Sequence, residues 1–514
     1  MQDIHVPETV PVEKSYYNLS AVQESLAQSP IFQYDENDIP RLVITHEPEF
    51  AQTLGSIHPD AFLFSKAVDL KLAKQQHRNF RETIRKHTGA LVFTVREILL
   101  MGCDDLRHRA ELEEFASHCI HYRLENGLKQ EDLSEKEVAL LDDEYKRASL
   151  KKMTDVQLVD VIMSQPTIII EKPDPSKHFV SHKIEMEPLT NLTFCRDQQI
   201  TTAKGVVMGS MNMVQRQMET LLMLHVFKKL GIPIVGKIPA EEGATLEGGD
   251  FLPGGSDICF IGCGLRTNMK AIDYMLRNDL FGTRRVAVVE DKWDINPDRL
   301  HLDTVFGLLD AHNCIVSEDI IGEESKIKRL VTEYVKNDIS GQYEISVKEM
   351  EFTHYLRENK YNIIPIPADV QLVLGCNILN IGKGRIICTH ETCGRLIVEQ
   401  AMKASASSSS SELTSPPFTG SVHVIPFSEI VSMNGGVHCA SFVCRYPPDA
   451  QFVTRMATPG FGPMSNVPNL SSPVLSVSHS EHTLPPVSTT PTTKTFSAPL
   501  IRGVVHGIAS LGNQ

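Results

Sequence analysis

The sequence predicts an α/β protein, on two observations. From Gln165 to about Tyr446, short apolar runs alternate with stretches whose apolar residues recur at helical spacing. The runs are brief and rich in Val and Ile, as in Arg285-Val286-Ala287-Val288-Val289, which is how buried strands read. Ahead of them, from about Ser65 to Ser164, charged residues and Leu, Ala and Val recur at helical spacing with little glycine. That region reads as a helical insertion of several packed amphipathic helices.

In chain order, residues 1–38 are polar and patternless and are expected to be an irregular N-terminal segment. Arg41-Leu42-Val43-Ile44-Thr45, between Pro40 and Pro48, is the first strand. After the insertion, strands are expected at Pro166–Ile170, Gly205–Gly209, Asp257–Gly262, Arg285–Val289 and Gly384–Cys388. Helices are expected at Arg216–Leu230 and Met269–Asp279. The spacing suits repeated strand-strand-helix-strand units, although no repeat shows in the residues themselves. A serine run followed by Pro416-Pro417 marks a low-complexity surface loop at about 404–418. Residues 447–514 are rich in Ser, Pro and Thr and too poor in apolar surface to offset chain entropy, so a disordered tail is expected.

Composition excludes several classes. The 514 residues are 41% hydrophobic and 22% charged, an ordinary globular balance. A net charge of -14 argues against nucleic acid or an anionic membrane as partner. The start, MQDIHVPETVPVEK, lacks the basic and apolar blocks of a secretory signal, and no apolar run is long enough to cross a bilayer. The 11 cysteines are scattered without CxxC pairs. A reducing, cytoplasmic setting is expected, with neither a disulfide framework nor a zinc ribbon.

The chemistry centres on Asn434-Gly435-Gly436-Val437-His438-Cys439. Glycines let the backbone turn sharply and a ligand approach closely, and a cysteine thiolate is a strong nucleophile. Alone, such a match is more often an inert buried cysteine. Three upstream stretches change the balance. Asn191 and Asp197, in Asn191-Leu192-Thr193-Phe194-Cys195-Arg196-Asp197, would share a face if extended. In Glu247-Gly248-Gly249-Asp250, two carboxylates flank a glycine pair. In His301-Leu302-Asp303-Thr304, a strand would put His301 and Asp303 on one side. Each stretch alone reads as a charged turn or surface pair. Together, a thiol, an imidazole and several carboxylates suit a planar cation. Carboxylates receive the forked donors of a guanidinium, and a histidine can protonate a leaving amine and then activate water. A zinc site of His301, His438 and Cys439 fits no standard spacing and leaves the carboxylates unexplained.

These four stretches (FCRD, LEGGD, HLDT and NGGVHC, in that order) resemble the arginine deiminase family of the guanidine-modifying superfamily. The resemblance covers roughly Arg41 to Tyr446. It implies a five-bladed α/β propeller of the pentein kind with a helical insertion, and a central site. It also implies hydrolysis of L-arginine to L-citrulline and ammonia without metal or organic cofactor, by a homo-oligomer, either dimer or tetramer. Carried over by position, Cys439 attacks the guanidinium carbon, and Asp197 and Asp303 grip its nitrogens. His301 handles the protons and Glu247 orients it. Asn191, Arg216 and Arg266 bind the amino-acid end. Three departures stand out: Cys195 replaces the threonine of FTRD, Asn434 stands where bacterial members often have arginine, and the tail resembles longer eukaryotic microbial members. An arginine dihydrolase yielding ornithine, an amidinotransferase and a non-catalytic propeller are the alternatives.

Overall fold

Five of the six sheets follow one pairing rule. In each, a central strand runs antiparallel to the strand before it and parallel to the strand after it. A parallel neighbour needs a crossover, and a helix supplies it. The computed structural model in which this is seen describes residues 18–171, 182–406, 415–446 and 474–476. Of the two units into which the chain divides, Met1–Val477 and Ser478–Gln514, the first holds all of these residues.

The first repeat is Gln199–Thr202, Gly205–Met208, helix Gln217–Leu230 and Ile234–Lys237. The second is Phe251–Pro253, Ile258–Cys263, helix Met269–Arg277 and Arg285–Glu290. The third is Phe306–Leu308, Asn313–Ser317, helix Phe352–Glu358 and Asn362–Ile366. The fourth is Leu379–Asn380, Arg385–Cys388, helix Glu391–Ala406 and Ser421–Val424. The fifth joins the two ends of the fold. Phe442–Arg445 lies antiparallel to Pro40–Thr45, and helix Leu70–Thr88 leads to the parallel strand Leu91–Thr94. The fold is thus a pentein-type α/β propeller. Hairpin Leu330–Lys336/Tyr343–Glu351, inserted in the third repeat, extends the sheet of the second.

Why these residues take these places is plain in the strands. Ile258–Cys263 and the interior of Arg285–Glu290 are apolar because both faces are buried, Phe260 and Ala287 in one core and Ile261 and Val288 in another. Helix Leu70–Thr88 belongs to this scheme, although its charge groups it by composition with the insertion. Lys71, Arg78 and Lys86 are exposed, while Phe80 is buried and meets Phe427 edge-on at 5.3 Å between ring centres. Burying one such ring contributes about 1.5–3 kcal/mol. Beyond it, helices Val95–Leu100, Leu106–His118, Asp143–Leu150 and Asp155–Ser164 pack Leu99, Leu112, Leu158 and Ile162 into a core continuous with Ile44, Met208 and Phe227 of the repeats. Strand Pro166–Ile170 pairs with His121–Leu124 and His182–Met186, outside the five repeats.

The segment expected to be irregular up to residue 38 is ordered from Asn18. Asn18 caps helix Leu19–Ala27, whose Leu19, Val22 and Leu26 are buried. Further on, Glu36 is buried and pairs with Arg445 at 2.9 Å, while Gln33 donates to it at 3.0 Å. The Arg445 side chain is fully buried and also donates to Asp38 O at 2.6 Å and Asn380 O at 3.0 Å. This knot ties the N-terminal segment to the last strand. Removing one partner of a buried ion pair strands the other charge, which costs about 3–5 kcal/mol. Glu36→Ala is therefore expected to lower the urea midpoint by that much stability. A loss below about 1 kcal/mol, within the range of a surface pair, would contradict it.

Most of the low-complexity loop, residues 407–414, lies outside the described residues, as does nearly all of the 447–514 tail. Within that tail Val474–Ser476 is a strand, antiparallel to Ser421–Val424.

Candidate active site

Each repeat presents the segment just before its first strand to the same place. Those segments end at Asp197, Asp250, Asp303, Asn377 and Cys439, one to three residues ahead of their strands. Hydrogen bonds join them in a closed ring. Gly248 N donates to Asp197 O at 3.0 Å. Leu302 N donates to Asp250 Oδ1 at 2.9 Å. Asn377 Nδ2 donates to Asp303 O at 3.3 Å, and His438 N to Asn377 Oδ1 at 2.9 Å. Arg196 N closes the circle on Cys439 O at 3.1 Å. Fivefold repetition therefore brings together residues that are scattered over the sequence.

The ring explains the local sequence. A Cβ on Gly248 would stand 2.0 Å from Arg196 O, and one on Gly249 would stand 2.5 Å from His301 Nδ1. Only glycines let the two backbones and the imidazole meet. Neither stretch expected to be extended is a strand. Residues 191–198 form successive turns, with Phe194 N donating to Asn191 O at 3.0 Å. Leu302–Thr304 is a single 3-10 turn. A strand would pair its backbone sideways, whereas these backbones must bend to aim side chains inward.

All eight residues expected at the site are buried. His301 Nε2 lies 2.9 Å from Glu247 Oε2, and its Nδ1 lies 3.9 Å from Asp197 Oδ1. Burial opposes charge on His301, but the carboxylates of Asp197, Glu247 and Asp250 outweigh it and raise its pKa to about 9. Burial pulls Glu247 the other way, yet the hydrogen bond and charge of His301, with Arg216 and Arg266, lower it to about 2. Cys439 Sγ lies 3.1 Å from Asn377 Nδ2 and 3.6 Å from Asp303 Oδ2. Burial, then Asp303 and Asp197, push its thiol well above the usual range. Asp303 is held low, against burial, by the His438 ring, whose Nδ1 lies 2.8 Å from its Oδ2.

Three carboxylate oxygens of the ring stand open, Asp250 Oδ2 being one. Asp197 Oδ1 and Asp303 Oδ1 are buried and accept no hydrogen bond among the described residues. Arg266 Nη1 likewise makes none and lies 3.7 Å from Glu247 Oε1. Arg216 is engaged: it donates to Asp197 Oδ2 at 2.7 Å and to Glu219 Oε2 at 2.9 Å. Asn191 Nδ2 donates to Phe62 O at 3.2 Å, and Asn434 Nδ2 to Leu63 O at 2.7 Å, so the two amides share a corner. Asn434 has φ +66°, a conformation asparagine tolerates better than most side chains.

Donor atoms of Asp197, Glu247 and His301 lie within 4.8 Å of one another, a set that by type could hold a metal. Arg216 lies 2.7 Å from Asp197 and Arg266 3.7 Å from Glu247, so two of its carboxylates already face a guanidinium.

Several site residues carry no signal in the sequence. Asn377 sits in an apolar run without charge, Leu374-Gly375-Cys376-Asn377-Ile378-Leu379. Glu36, whose Oε2 lies 3.6 Å from His438 Nε2, is in a segment that reads as featureless. The repeat itself would have revealed Asn377, since it alone fills the place ahead of the fourth first strand.

The profile of the arginine deiminase family matches residues 60–445, and the chain belongs to that family. It is 24% identical over 347 residues to the arginine deiminase of Staphylococcus haemolyticus, covering 63% of this chain and 78% of that one. It is 23% identical over 440 residues to that of Borrelia garinii, covering 80% and 97%. Among solved structures, an amidinotransferase from Microseira wollei aligns with TM-score 0.46 and 14% identity, over 82% of this chain and 99% of that one. The N-terminal domain of ArgZ, a cyanobacterial arginine dihydrolase, aligns with TM-score 0.43 and 12% identity, over 79% and 97%.

Proposed function

We propose that the chain hydrolyses L-arginine to L-citrulline and ammonia through an amidino group carried on Cys439. The observation that carries this reading is the pair of open, buried carboxylate oxygens, Asp197 Oδ1 and Asp303 Oδ1, beside a thiol. Such acceptors are costly to leave unpaired, and a guanidinium offers forked N–H donors to both. The cation also offsets the negative field that holds Cys439 protonated, so the thiolate forms as substrate binds.

The thiolate attacks the guanidinium carbon to give a tetrahedral centre. The C–N bond to a terminal nitrogen breaks, His301 Nδ1–H gives that nitrogen its proton, and ammonia leaves. The amidino carbon stays on sulfur. Water enters, His301 takes one of its protons, and hydroxide adds to the carbon. The C–S bond breaks as the added hydroxyl gives its proton to solvent water, so citrulline leaves and the thiolate is restored. Glu247 keeps Nε2 of His301 fixed throughout. Asn191 and Arg266 serve the amino-acid end. Arg216 joins them by exchanging partners: Asp197 Oδ2 turns to the guanidinium and Arg216 to the substrate carboxylate, so no buried charge is left unpaired.

The same reading places the enzyme in a reducing cytosol, in keeping with eleven free cysteines, as a homo-oligomer. Among the described residues, no helix is long and apolar enough to cross a membrane.

A dihydrolase would go on to attack citrulline, whose urea is neutral and a poorer electrophile. Two ionised aspartates hold a cation better than a neutral urea, so citrulline should leave. The test is a time course with labelled arginine. One ammonia per arginine with citrulline accumulating is expected; two ammonia with ornithine as end product would decide for the dihydrolase, and no product would remove the enzymatic reading.

A further inference from the structure

We infer that Asn377 is a catalytic residue that holds the sulfur of Cys439 in its anionic form. The inference rests on the reading of Cys439 as nucleophile. Four of the five segments in the ring supply groups already given a role: Asp197, the Glu247–Asp250 stretch, His301 with Asp303, and Cys439. The fifth supplies only Asn377, and it is 1% exposed.

Its amide is used at both ends. Oδ1 accepts from His438 N at 2.9 Å and from Cys439 N at 3.2 Å. Nδ2 donates to Cys439 Sγ at 3.1 Å and to Asp303 O at 3.3 Å. The two bonds at Oδ1 fix which way the amide faces, because a backbone N–H needs an acceptor there. The NH2 is therefore aimed at sulfur by its own other end. Around the sulfur the nearest charged group is the Asp303 carboxylate, at 3.6 Å, which repels a thiolate. Asn377 Nδ2 is the side-chain donor to Cys439 Sγ, and a backbone hydrogen bond from Gly436 joins it in favouring the thiolate. A donor to an anion is worth more than a donor to a neutral group, so this bond strengthens as the thiol ionises. It acts again when the thiolate leaves the amidino carbon.

The packing holds the asparagine in place. A Cβ on Gly436 would stand 2.5 Å from Asn377 Oδ1, so the glycine ahead of the nucleophile leaves room for this amide.

The test reads the thiol without arginine, so its outcome is separate from whether the protein makes citrulline. Wild-type and Asn377→Ala protein are treated with iodoacetamide across a pH series, and alkylation of the Cys439 peptide is followed by mass spectrometry. The variant's profile is expected to move up by about one to two pH units, as loss of a hydrogen bond to an anion implies. In parallel, kcat/KM for arginine should fall about 10- to 100-fold. Asn377→Asp keeps the acceptor for both backbone amides and nearly the same shape, and it decides the matter if the alanine variant does not fold. With the donor replaced by a carboxylate, its profile should move up further. Profiles that superimpose on wild type in the folded variant would overturn the inference, since a purely structural asparagine would leave the thiol's titration unchanged.

Discussion

Cys439→Ala is expected to abolish turnover, by about a million-fold, while the protein stays folded and still binds arginine. The size follows from removing a nucleophile that no other group replaces. Folding should survive because little is taken away. The lost atom is one sulfur, and Asn377 keeps its bonds to His438 N and Asp303 O. Binding should survive because the open acceptors, Asp197 Oδ1 and Asp303 Oδ1, are untouched. Steady-state rates, with arginine binding followed by calorimetry, check the first part. On wild-type protein, acid quenching during turnover should trap an adduct of the mass of arginine less one ammonia on the Cys439 peptide. Cys195 and Cys444 are the other cysteines near this part of the chain, and both are buried. Cys195 Sγ donates to Leu192 O at 3.2 Å, turned into its own loop. An adduct on either would refute the assignment, as would several per cent of residual activity in the alanine variant.

Periodicity made the strands and helices of the repeats readable, because they are buried on both sides or on one clean face. Arg285–Glu290 and Gln217–Leu230 lie within a residue or so of where pattern alone puts them. Composition groups helix Leu70–Thr88 with the insertion because charge marks which face meets water, not which sheet the other face covers. The segment before Pro40 gave no pattern because its contribution is local and polar: a cap at Asn18, then Glu36 paired with an arginine four hundred residues away. No periodicity encodes such a contact.

The site was legible where chemistry forces unusual residues. The glycine pair of LEGGD is visible because backbone and imidazole crowd it. The local geometry was not legible, since the turns at 191–198 and the 3-10 turn at Leu302–Thr304 are set by the ring they close and not by the propensity of their residues. Asn377 was invisible for a related reason. An asparagine between apolar residues becomes significant only once the fourth repeat carries it to the thiol.

His301→Gln is expected to lower kcat by about 100- to 10,000-fold, the usual worth of a general acid and base, and to change the shape of the pH profile. The sign follows from the two pKa shifts at the site. Without substrate, His301 is raised to about 9, so it is imidazolium across the neutral range. Cys439 is raised well above its ordinary value, so it is a thiol over the same range. Attack needs the opposite state for sulfur only: thiolate with imidazolium. Each arginine that binds must therefore expel one proton, and kcat/KM should rise about tenfold per pH unit below about 9. In the bound complex the proton has gone, and kcat depends on His301 staying charged. A bound guanidinium draws on the same carboxylates that raise His301, so kcat should fall on the alkaline side with its midpoint at or below about 9. Glutamine can still meet Glu247 through its amide, but it cannot carry the proton. The variant should lose both the rate and that alkaline limb, while kcat/KM keeps its rise with pH because the cysteine still must ionise. Initial-rate measurements from pH 6 to 10 on both proteins separate these limbs. A His301→Gln enzyme within tenfold of wild type, with the alkaline limb in place, would mean that another group moves the proton.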